Sequence, residues 1–283
     1  MTTVAAALAQ AQRRGVTRLD AQLMLARLLA LSRTTLIAHD ERALTDGEAE
    51  GWANWLARRA GGEPLAYLLG EKEFCGLLLE IDGDVLVPRP ETELLVEWVS
   101  ALLAEVPMTR ARAPASVPPR VVDLGTGSGA IALAVKTANP LAAVTATDVS
   151  AASLALARRN AARLGLAIEA IETSWWDGLA HRRFDIAVAN PPYIAADDPH
   201  LEALRHEPLA ALTPGNDGLA ALKAIVAGAP RHLEPGGWLV LEHGFDQAGA
   251  VRGLLAQAGF VAVETRCDLA GLERATGGRF GAV

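Results

Sequence analysis

The spacing of apolar residues divides the chain into an early helical part and a later part in which strands and helices alternate. Over residues 3–75 the apolar positions recur every three or four residues, which predicts amphipathic helices in a small bundle. Thr17 with Asp20 predicts one helix start, and Thr45 with Glu48 has the spacing of a capping box. Gly61-Gly62 predicts the end of the helix that follows the box. The buried face predicted after Thr17 consists of Leu19, Leu23, Ala26 and Ala30, widened by Leu25, Leu28 and Leu29.

The next segment has the two-residue period of strands. Apolar residues alternate up to Asp82-Gly83-Asp84 and again after it, which predicts a hairpin that turns at Gly83. It is followed by Pro88-Arg89-Pro90-Glu91-Thr92-Glu93, in which a first-turn proline and two glutamates favour a helix N-terminus. A plain helix start is one interpretation of this run. Two prolines and an arginine so close together also suggest the shaped wall of a site.

From residue 120 onward, strands and helices alternate. The predicted strands cover 120–124, 144–147, 167–171, 184–189, 238–241 and 260–266, and the predicted helices cover 131–138, 152–164, 219–227 and 247–258. Residues 105–119, rich in Pro, Ala and Arg, predict a flexible loop before the first of these strands. Such alternation is typical of a parallel sheet with helices on both faces. The predicted domains are therefore a helical domain at 1–70, a β-hairpin linker at 71–90 and an α/β domain at 91–283.

Composition narrows the class of protein. Hydrophobic residues make up 51% of the 283 residues and charged ones 21%, which is typical of a globular chain with a core. The formal net charge of −7 argues against strong non-specific nucleic-acid binding, which needs clustered Lys and Arg. The histidines and the two cysteines match no metal or redox motif, and no apolar run approaches transmembrane length. We therefore expect a soluble, cytoplasmic protein that uses no metal, no membrane and no direct contact with nucleic acid.

A glycine-rich run, Asp123-Leu-Gly-Thr-Gly-Ser-Gly129, closes the first strand of the α/β domain and opens its first helix. Glycines allow the backbone to approach a ligand closely, and Asp148 at the end of the next strand can accept from both hydroxyls of a ribose. Nicotinamide enzymes and S-adenosylmethionine enzymes share this arrangement. The spacing is G-x-G-x-G rather than the dinucleotide form G-x-G-x-x-G, and a further motif decides between the two.

That motif is Asn190-Pro191-Pro192-Tyr193, which follows the apolar run 184–189. It lies at the carboxyl end of a predicted buried strand, where open α/β sheets bind ligands. The prolines stiffen the turn, so that the Asn190 oxygen and a backbone carbonyl can act as two acceptors for a planar NH2 group. Tyr193 offers a ring face beside it. A proline-stiffened turn with a helix-capping Asn is the alternative, but the glycine loop together with this motif favours a methyltransferase.

These two motifs resemble those of the class I methyltransferases that modify planar NH2 groups, and the rest of the chain is similar to the peptide chain release factor glutamine methyltransferases. The further stretches that carry the resemblance are Glu63-Pro64 through Tyr67, Gly70, Phe74 and Gly76; Pro88–Glu93; Glu207-Pro208 with Ala211-Leu212; Asp217-Gly218; and Leu241–Gly244. The resemblance covers almost the whole chain. It implies a Rossmann-like methyltransferase sheet preceded by a helical substrate-recognition domain and a hairpin linker.

The resemblance also implies a reaction and a set of site residues. The methyl donor would be S-adenosylmethionine, and the acceptor would be the side-chain amide nitrogen of the glutamine in the Gly-Gly-Gln motif of bacterial release factors. The cofactor-binding residues would be Asp123, Gly125, Thr126, Gly127, Ser128, Gly129, Asp148, Trp175 and Asn190. The catalytic residues would be Asn190, Pro191 and Tyr193, and the substrate-binding residues would be Phe74, Arg89, Pro90, Glu91, Thr92, Asn190, Pro191, Pro192 and Tyr193.

The chain departs from the family pattern at two places. Ser174 stands where the family often has an acidic residue for adenine recognition, and Asp177 is nearby but displaced. The ending after Gly278 is also unlike that of the family and is interpreted as a variable tail. The alternatives are an acceptor in a ribosomal protein, an adenine or cytosine of nucleic acid, and a non-catalytic module that retains the cofactor loop as a scaffold.

Overall fold

The computed structural model describes residues 2–109 and 117–281 and forms two compact units, Met1–Lys72 and Glu73–Val283. The first unit is helical, as predicted. Its helices are α1 (Val4–Arg13), α2 (Arg18–Leu28), α3 (Arg33–Ala38), α4 (Asp46–Ala60) and α5 (Leu65–Leu69). Thr17 caps α2, Thr45 and Glu48 form the predicted capping box of α4, and α4 ends at Gly61.

The buried face predicted for α2 is wrong in part. Leu19 is 50% exposed and Ala30 is exposed, whereas Ala21, Met24 and Leu25 are buried. This helix packs against α1, α3, α4 and α5 at once. Its apolar residues therefore do not form the single stripe from which a buried side can be read in a sequence.

The predicted hairpin is present, but its turn lies elsewhere. β1 (Glu71–Phe74) and β2 (Leu77–Glu80) are joined through Cys75 and Gly76, whose φ angles are +49° and +76°. Positive φ at both central residues is the requirement of a two-residue primed turn, and it decides the register. The predicted turn at Asp82–Asp84 is a separate turn after β2, in which the Asp84 N–H donates to Asp82 Oδ1 at 3.1 Å.

The second unit is built on a seven-stranded sheet with the order β5-β4-β3-β6-β7-β9-β8. The strands are β3 (Arg120–Leu124), β4 (Ala143–Asp148), β5 (Glu169–Glu172), β6 (Phe184–Ala189), β7 (Leu233–Glu242), β8 (Phe260–Cys267) and β9 (Glu273–Phe280). The helices are α6 (Glu93–Thr109), α7 (Ala130–Ala138), α8 (Ala151–Leu164), α9 (Leu209–Leu212), α10 (Ala220–His232) and α11 (Ala248–Gln257), with short 3-10 turns at Pro90–Thr92, Asp177–Leu179 and Pro199–Leu204. The predicted Rossmann-like α/β class is confirmed.

Two predicted boundaries need correction. The predicted loop at 105–119 begins too early, because α6 continues to Thr109; residues 110–116 lie outside the described residues. β7 begins at Leu233 rather than at Trp238, because Leu233 already pairs with Phe184 before the register shifts. Arg279 and Phe280, the first residues after Gly278, belong to β9, and the interpretation of this ending as variation of the tail stays a prediction.

β9 was missed because its sequence has weak strand character. It runs antiparallel between β7 and β8, so β8 is joined to the sheet through it. Gly277 and Gly278 lower strand propensity, yet close packing requires a small residue here. A Cβ at Gly277 would lie 3.0 Å from the Leu239 carbonyl oxygen and 3.1 Å from the Trp98 ring.

The register of the sheet brings several strand ends to one edge. Leu124 of β3 pairs with Thr147 of β4 and with Ala189 of β6, and Ala189 also pairs with Leu241 of β7. Parallel neighbours are about 4.8 Å apart, so the residues that follow these strands lie side by side. β6 is buried throughout and packs in an apolar core with β3, β7, α10 and α11. Within the described ranges, none of the helices is both long and apolar enough to span a membrane.

Candidate active site

A cavity of about 350 Å³ opens at the carboxyl ends of β3 and β6, where the strand order reverses direction. This reversal is the expected ligand position in an open α/β sheet. The cavity wall is formed by four groups of residues: Asp84–Leu86, Pro88 and Thr92; Gly125–Ser128 with Ala130 and Ile131; Asp148–Ser150, Ser153 and Thr173–Trp175; and Asn190, Pro192, Pro208, Ala210 and Ala211. The volume lies in the range of pockets that enclose a small ligand.

The glycine loop after β3 adopts a backbone that only glycine accommodates easily. The φ angles of Gly125, Gly127 and Gly129 are +75°, +54° and +85°. A Cβ at Gly125 would lie 3.3 Å from the Trp175 ring, while a Cβ at Gly127 would meet no atom within 4 Å. The loop therefore lies flat against the tryptophan on one side and presents bare backbone on the other. A bulky cofactor can approach this backbone closely, which is the fit that the motif predicted.

Asp148, at the end of β4, is held by the backbone on both of its carboxylate oxygens. Gly127 N–H donates to Oδ2 and Ser150 N–H donates to Oδ1, each at 2.9 Å. Each oxygen keeps a second lone pair for a ligand hydroxyl. Burial raises the pKa of this carboxyl, and the backbone hydrogen bonds oppose that rise. The side chain is thus fixed in the wall of the cavity, and its role in binding a ribose stays a prediction.

Asp123 lies beneath the glycine loop rather than in the cavity wall. It is fully buried, and its Oδ2 accepts from Thr126 Oγ1 at 2.6 Å and from Ala132 N–H at 3.1 Å. Burial raises its pKa to about 7. Its Oδ1 has no hydrogen-bond partner among the described residues. Asp123 therefore joins the loop to the first turn of α7 from below.

Trp175 forms a side of the cavity and has a φ of +45°, a conformation that is uncommon for a residue with a Cβ. Its half-buried ring packs on the sheet core and faces the glycine loop. Ser174 also lines the cavity, whereas Asp177 is exposed in the following 3-10 turn and does not. The displaced acid of this segment is therefore outside the cavity.

Asn190 and Pro192 line the end of the cavity that lies beyond β6. Asn190 Nδ2 donates to Thr92 Oγ1 at 3.1 Å, and Thr92 is itself buried in the same wall. Pro191 and Tyr193 lie behind this wall and do not line the cavity. The backbone carbonyl of Tyr193 accepts from Gln247 Nε2 at 2.9 Å, which fixes the exit of the motif.

Glu242, at the end of β7, is a residue that the sequence reasoning did not include in the site. It is 2% exposed, and Tyr193 Oη donates to its Oε1 at 3.3 Å. Burial raises the pKa of this carboxyl to about 7, although hydrogen bonds from Thr92 and Tyr193 lower it. Burial and the nearby Glu242 carboxylate in turn raise the pKa of Tyr193. A carboxylate directly after the apolar run 238–241 was the signal available in the sequence.

Of the other residues predicted to bind the substrate, Thr92 lines the cavity and the rest do not. Phe74 is fully buried in β1 and does not reach the cavity, and Pro90 and Glu91 are exposed outside it. Arg89 forms an ion pair with Glu207, whose carboxylate also accepts from Val87 N–H at 3.1 Å. Since Glu207 is almost fully buried, this pair ties the segment before α6 to the segment before α9.

A fully buried asparagine connects the hairpin with the glycine loop. Asn160 of α8 donates from Nδ2 to the carbonyls of Glu80 and Ser128, each at 3.0 Å, and accepts from Glu80 N–H at 2.7 Å. It is fully buried. All hydrogen-bonding capacity but one lone pair is used, so these two backbone segments are held to a single side chain.

The charge of the cavity restricts its ligands. Among the described residues that line it, Asp84 and Asp148 are the charged ones, and neither Lys nor Arg is present. A dinucleotide pyrophosphate or a nucleic-acid phosphate would find no cationic side chain here. A sulfonium donor, which carries positive charge and no phosphate, suits this wall.

Comparison with known proteins gives the same family over more than nine tenths of the chain. Residues 1–70 match the PrmC N-terminal domain and residues 100–264 match the methyltransferase small domain. The chain is 50% identical over 271 residues to a release factor glutamine methyltransferase of Bordetella pertussis, which covers 93% of this chain and 95% of that protein. A protein of the same description from Burkholderia pseudomallei is 49% identical over 270 residues, covering 92% of this chain and 91% of that one.

A solved methyltransferase from Pyrococcus furiosus is similar in fold, with a TM-score of 0.54 at 19% identity, covering 81% of this chain and all of that one. The family predicted from the glycine loop and the Asn-Pro-Pro-Tyr motif is thus confirmed by relatives that cover more than nine tenths of the chain. The chain belongs to the release factor glutamine methyltransferase family.

Proposed function

We propose that the protein transfers a methyl group from S-adenosylmethionine to the side-chain amide nitrogen of the glutamine in the Gly-Gly-Gln motif of bacterial peptide chain release factors. The observation that carries this proposal is that one cavity joins the glycine loop and Asp148 to Asn190. A donor bound at the first two would reach an acceptor held by the third without leaving the cavity. Relatives described by this activity cover more than nine tenths of the chain.

The residues divide into a donor half and an acceptor half. The donor half would consist of Gly125–Ser128, Asp148 and the Trp175 face, with Gly129 outside the cavity wall and Asp123 supporting the loop from below. When bound, S-adenosylmethionine supplies an electrophilic methyl group on sulfur. In the acceptor half, Asn190 Oδ1 would accept one N–H group of the glutamine amide, and we assign the other to the carbonyl of Pro191, which follows Asn190 directly but does not itself line the cavity. Tyr193 would support this grip from behind the wall, where it already contacts Glu242.

Positioning is the main contribution to rate in this scheme. An amide nitrogen is a weak nucleophile because its lone pair is delocalised, and two fixed acceptors favour the pyramidal nitrogen of the transition state. Exclusion of water by the apolar wall strengthens both hydrogen bonds. The nitrogen proton becomes acidic only as the new bond forms, so no side chain is required to remove it before attack.

The cavity also supports a protein acceptor over a nucleic-acid one. Its wall has no Lys or Arg among the described residues, whereas an enzyme that holds a flipped base needs cationic contacts to the phosphates. We further propose that the helical unit, which matches the PrmC N-terminal domain, recognises the release factor, and that the reaction takes place in the cytoplasm, where release factors act.

Mass spectrometry of a release factor after incubation with the protein and S-adenosylmethionine tests the proposal. We expect one added methyl group on the glutamine of the Gly-Gly-Gln motif and none on a release factor in which that glutamine is replaced by asparagine. A ribosomal protein and a DNA duplex, incubated in parallel, cover the alternative acceptors. Methylation of either of these without methylation of the release factor would refute the proposed substrate.

The role of Asn190 is tested by Asn190→Ala. We expect methyl transfer to fall by about a hundredfold or more, because one of two acceptors for the amide is lost, while S-adenosylmethionine still binds. Isothermal titration with S-adenosylmethionine and single-turnover transfer are measured on the same preparation. An equal loss of cofactor affinity would move Asn190 from the acceptor half to the donor half.

A further inference from the structure

Glu242, Thr92 and Asn190 form a row of polar groups that leads from the cavity wall, where Asn190 and Thr92 lie, to the buried Glu242. β6 and β7 pair at Ala189 and Leu241, so Asn190 and Glu242 follow neighbouring strands at the same level. Thr92 Oγ1 accepts from Asn190 Nδ2 at 3.1 Å, and hydrogen bonding from the Thr92 side chain lowers the pKa of Glu242, whose Oε2 is buried without a partner among the described residues. Glu242 and Thr92 are almost fully buried. The scheme above uses Asn190 alone and leaves the other two without a role.

The number of hydrogens on each group determines which group donates and which accepts between Asn190, Thr92 and Glu242. A threonine hydroxyl has one hydrogen, and the Glu242 carboxylate, when ionised, can only accept. The Thr92 hydrogen is therefore directed to Glu242, and Thr92 Oγ1 can only accept from Asn190. The NH2 side of the Asn190 carboxamide is thereby committed to Thr92, which leaves its Oδ1 as the group for a ligand.

We propose that Glu242 is a positioning residue that acts through Thr92 to hold the Asn190 carboxamide with its oxygen, not its NH2, toward the acceptor. The inference rests on the proposed function, because it concerns the acceptor for that reaction. With the oxygen in place the site accepts from an amide NH2 and repels a carboxylate. With the amide reversed, two NH2 groups would face each other and the hydrogen bond that aligns the nitrogen would be lost.

The charge state of Glu242 is set by the groups packed around it. Arg274 of β9 favours the ionised form, and Glu91 from the 3-10 turn before α6 opposes it. Thr92 and Tyr193 donate to the carboxylate, and Arg274 is shared with Asp268 through a 3.1 Å hydrogen bond. Burial outweighs the lowering effect of Thr92, Tyr193 and Arg274 and raises the pKa of Glu242 to about 7. Because the ionised form is the one that fixes Thr92, methyl transfer is expected to fall as the pH drops below about 7.

Three variants test this with single-turnover methyl transfer and cofactor titration. Thr92→Val keeps the shape but removes the hydroxyl, and we expect the transfer rate to fall roughly ten- to hundredfold with cofactor affinity unchanged. Thr92→Ser keeps the hydroxyl and is expected to stay within about threefold of the native rate. Glu242→Gln should lower the rate of methyl transfer at pH 8 and abolish the decline of the rate below pH 7. The double variant Thr92→Val with Glu242→Gln should be little slower than either single variant, because both changes interrupt the same series of hydrogen bonds.

The outcomes separate this inference from the proposed function. If the native protein does not methylate the release factor, the proposed function fails and the inference fails with it. If the native protein is active and Thr92→Val and Glu242→Gln keep the native rate and pH profile, the inference is overturned and the function stands. A Thr92→Ser rate as low as that of Thr92→Val would also overturn it, since the hydroxyl would then not be the feature that matters. Should Thr92→Val not fold, the pH profile of Glu242→Gln decides alone.

Discussion

Replacing Asp148 by alanine is expected to weaken S-adenosylmethionine binding by about 1.5–3 kcal/mol, the range of hydrogen bonds to a charged group. This corresponds to a rise in Kd of roughly 10- to 150-fold. The carboxylate is anchored by the N–H groups of Gly127 and Ser150 at 2.9 Å, so it meets the ligand without a further cost of ordering. Asparagine is not a neutral substitute here, because its NH2 would face one of these two N–H groups.

Isothermal titration with S-adenosylmethionine measures the effect, and urea unfolding checks that the variant is folded. Asp177→Ala is the matched control, since it removes the same charge from an exposed position outside the cavity. Its Kd is expected to stay within about twofold of the native value. Burial raises the pKa of Asp148, so this carboxyl is protonated at a higher pH than an ordinary aspartate. As the pH is lowered, the affinity of the native protein for S-adenosylmethionine should therefore begin to fall at a higher pH than it would with an ordinary aspartate. Equal Kd values for the two alanine variants would remove Asp148 from the donor site.

Three further outcomes concern stability, each measured by urea unfolding. Gly218→Ala should be destabilised by several kcal/mol more than Gly215→Ala. Both glycines have φ near +80°, but a Cβ at Gly218 would lie 2.2 Å from the Tyr193 carbonyl oxygen, whereas a Cβ at Gly215 would meet no atom within 4 Å. Equal losses of unfolding free energy in the two variants would contradict the predicted clash. Asn160→Ala should cost roughly 2–4 kcal/mol, because three buried hydrogen bonds are lost; a loss below 1 kcal/mol would mean that water replaces them. The pKa of Asp123 is raised to about 7, so its contribution to stability is full below its ordinary pKa and disappears as the pH rises through 7. Asp123→Asn should flatten this decline, by at most about 1.4 kcal/mol per pH unit, and an unchanged slope between pH 5 and 8 would refute the assignment.

Features that depend on neighbours in the sequence were predicted well. The capping box at Thr45, the glycine loop and the strand before Asn190 each place their chemistry within a few residues. Alternation of strands and helices was sufficient to predict a parallel sheet, and the topology then brings the ends of β3, β4 and β6 together.

Features that depend on distant partners were missed or misplaced. The hairpin turn was assigned to Gly83 because its glycine stands between two aspartates, whereas positive φ at Cys75 and Gly76 decides the register. β9 was missed because its glycines serve close packing across the sheet. The role proposed for Glu242 depends on Thr92, which lies 150 positions earlier in the chain, and no local sequence pattern reveals such a partner.

The buried carboxamide of Asn160 has a consequence for how precisely the reaction can be aimed. It is bonded to the backbone of β2, which leads into the acceptor wall, and to Ser128, which belongs to the donor loop. If either the strand or the loop shifted, a buried polar group would lose its hydrogen bond. The distance that the methyl group must cross is therefore set in part by Asn160, a residue that does not line the cavity. A substitution of Asn160 would therefore lower the rate of methyl transfer while the affinities for the methyl donor and for the protein substrate stay unchanged.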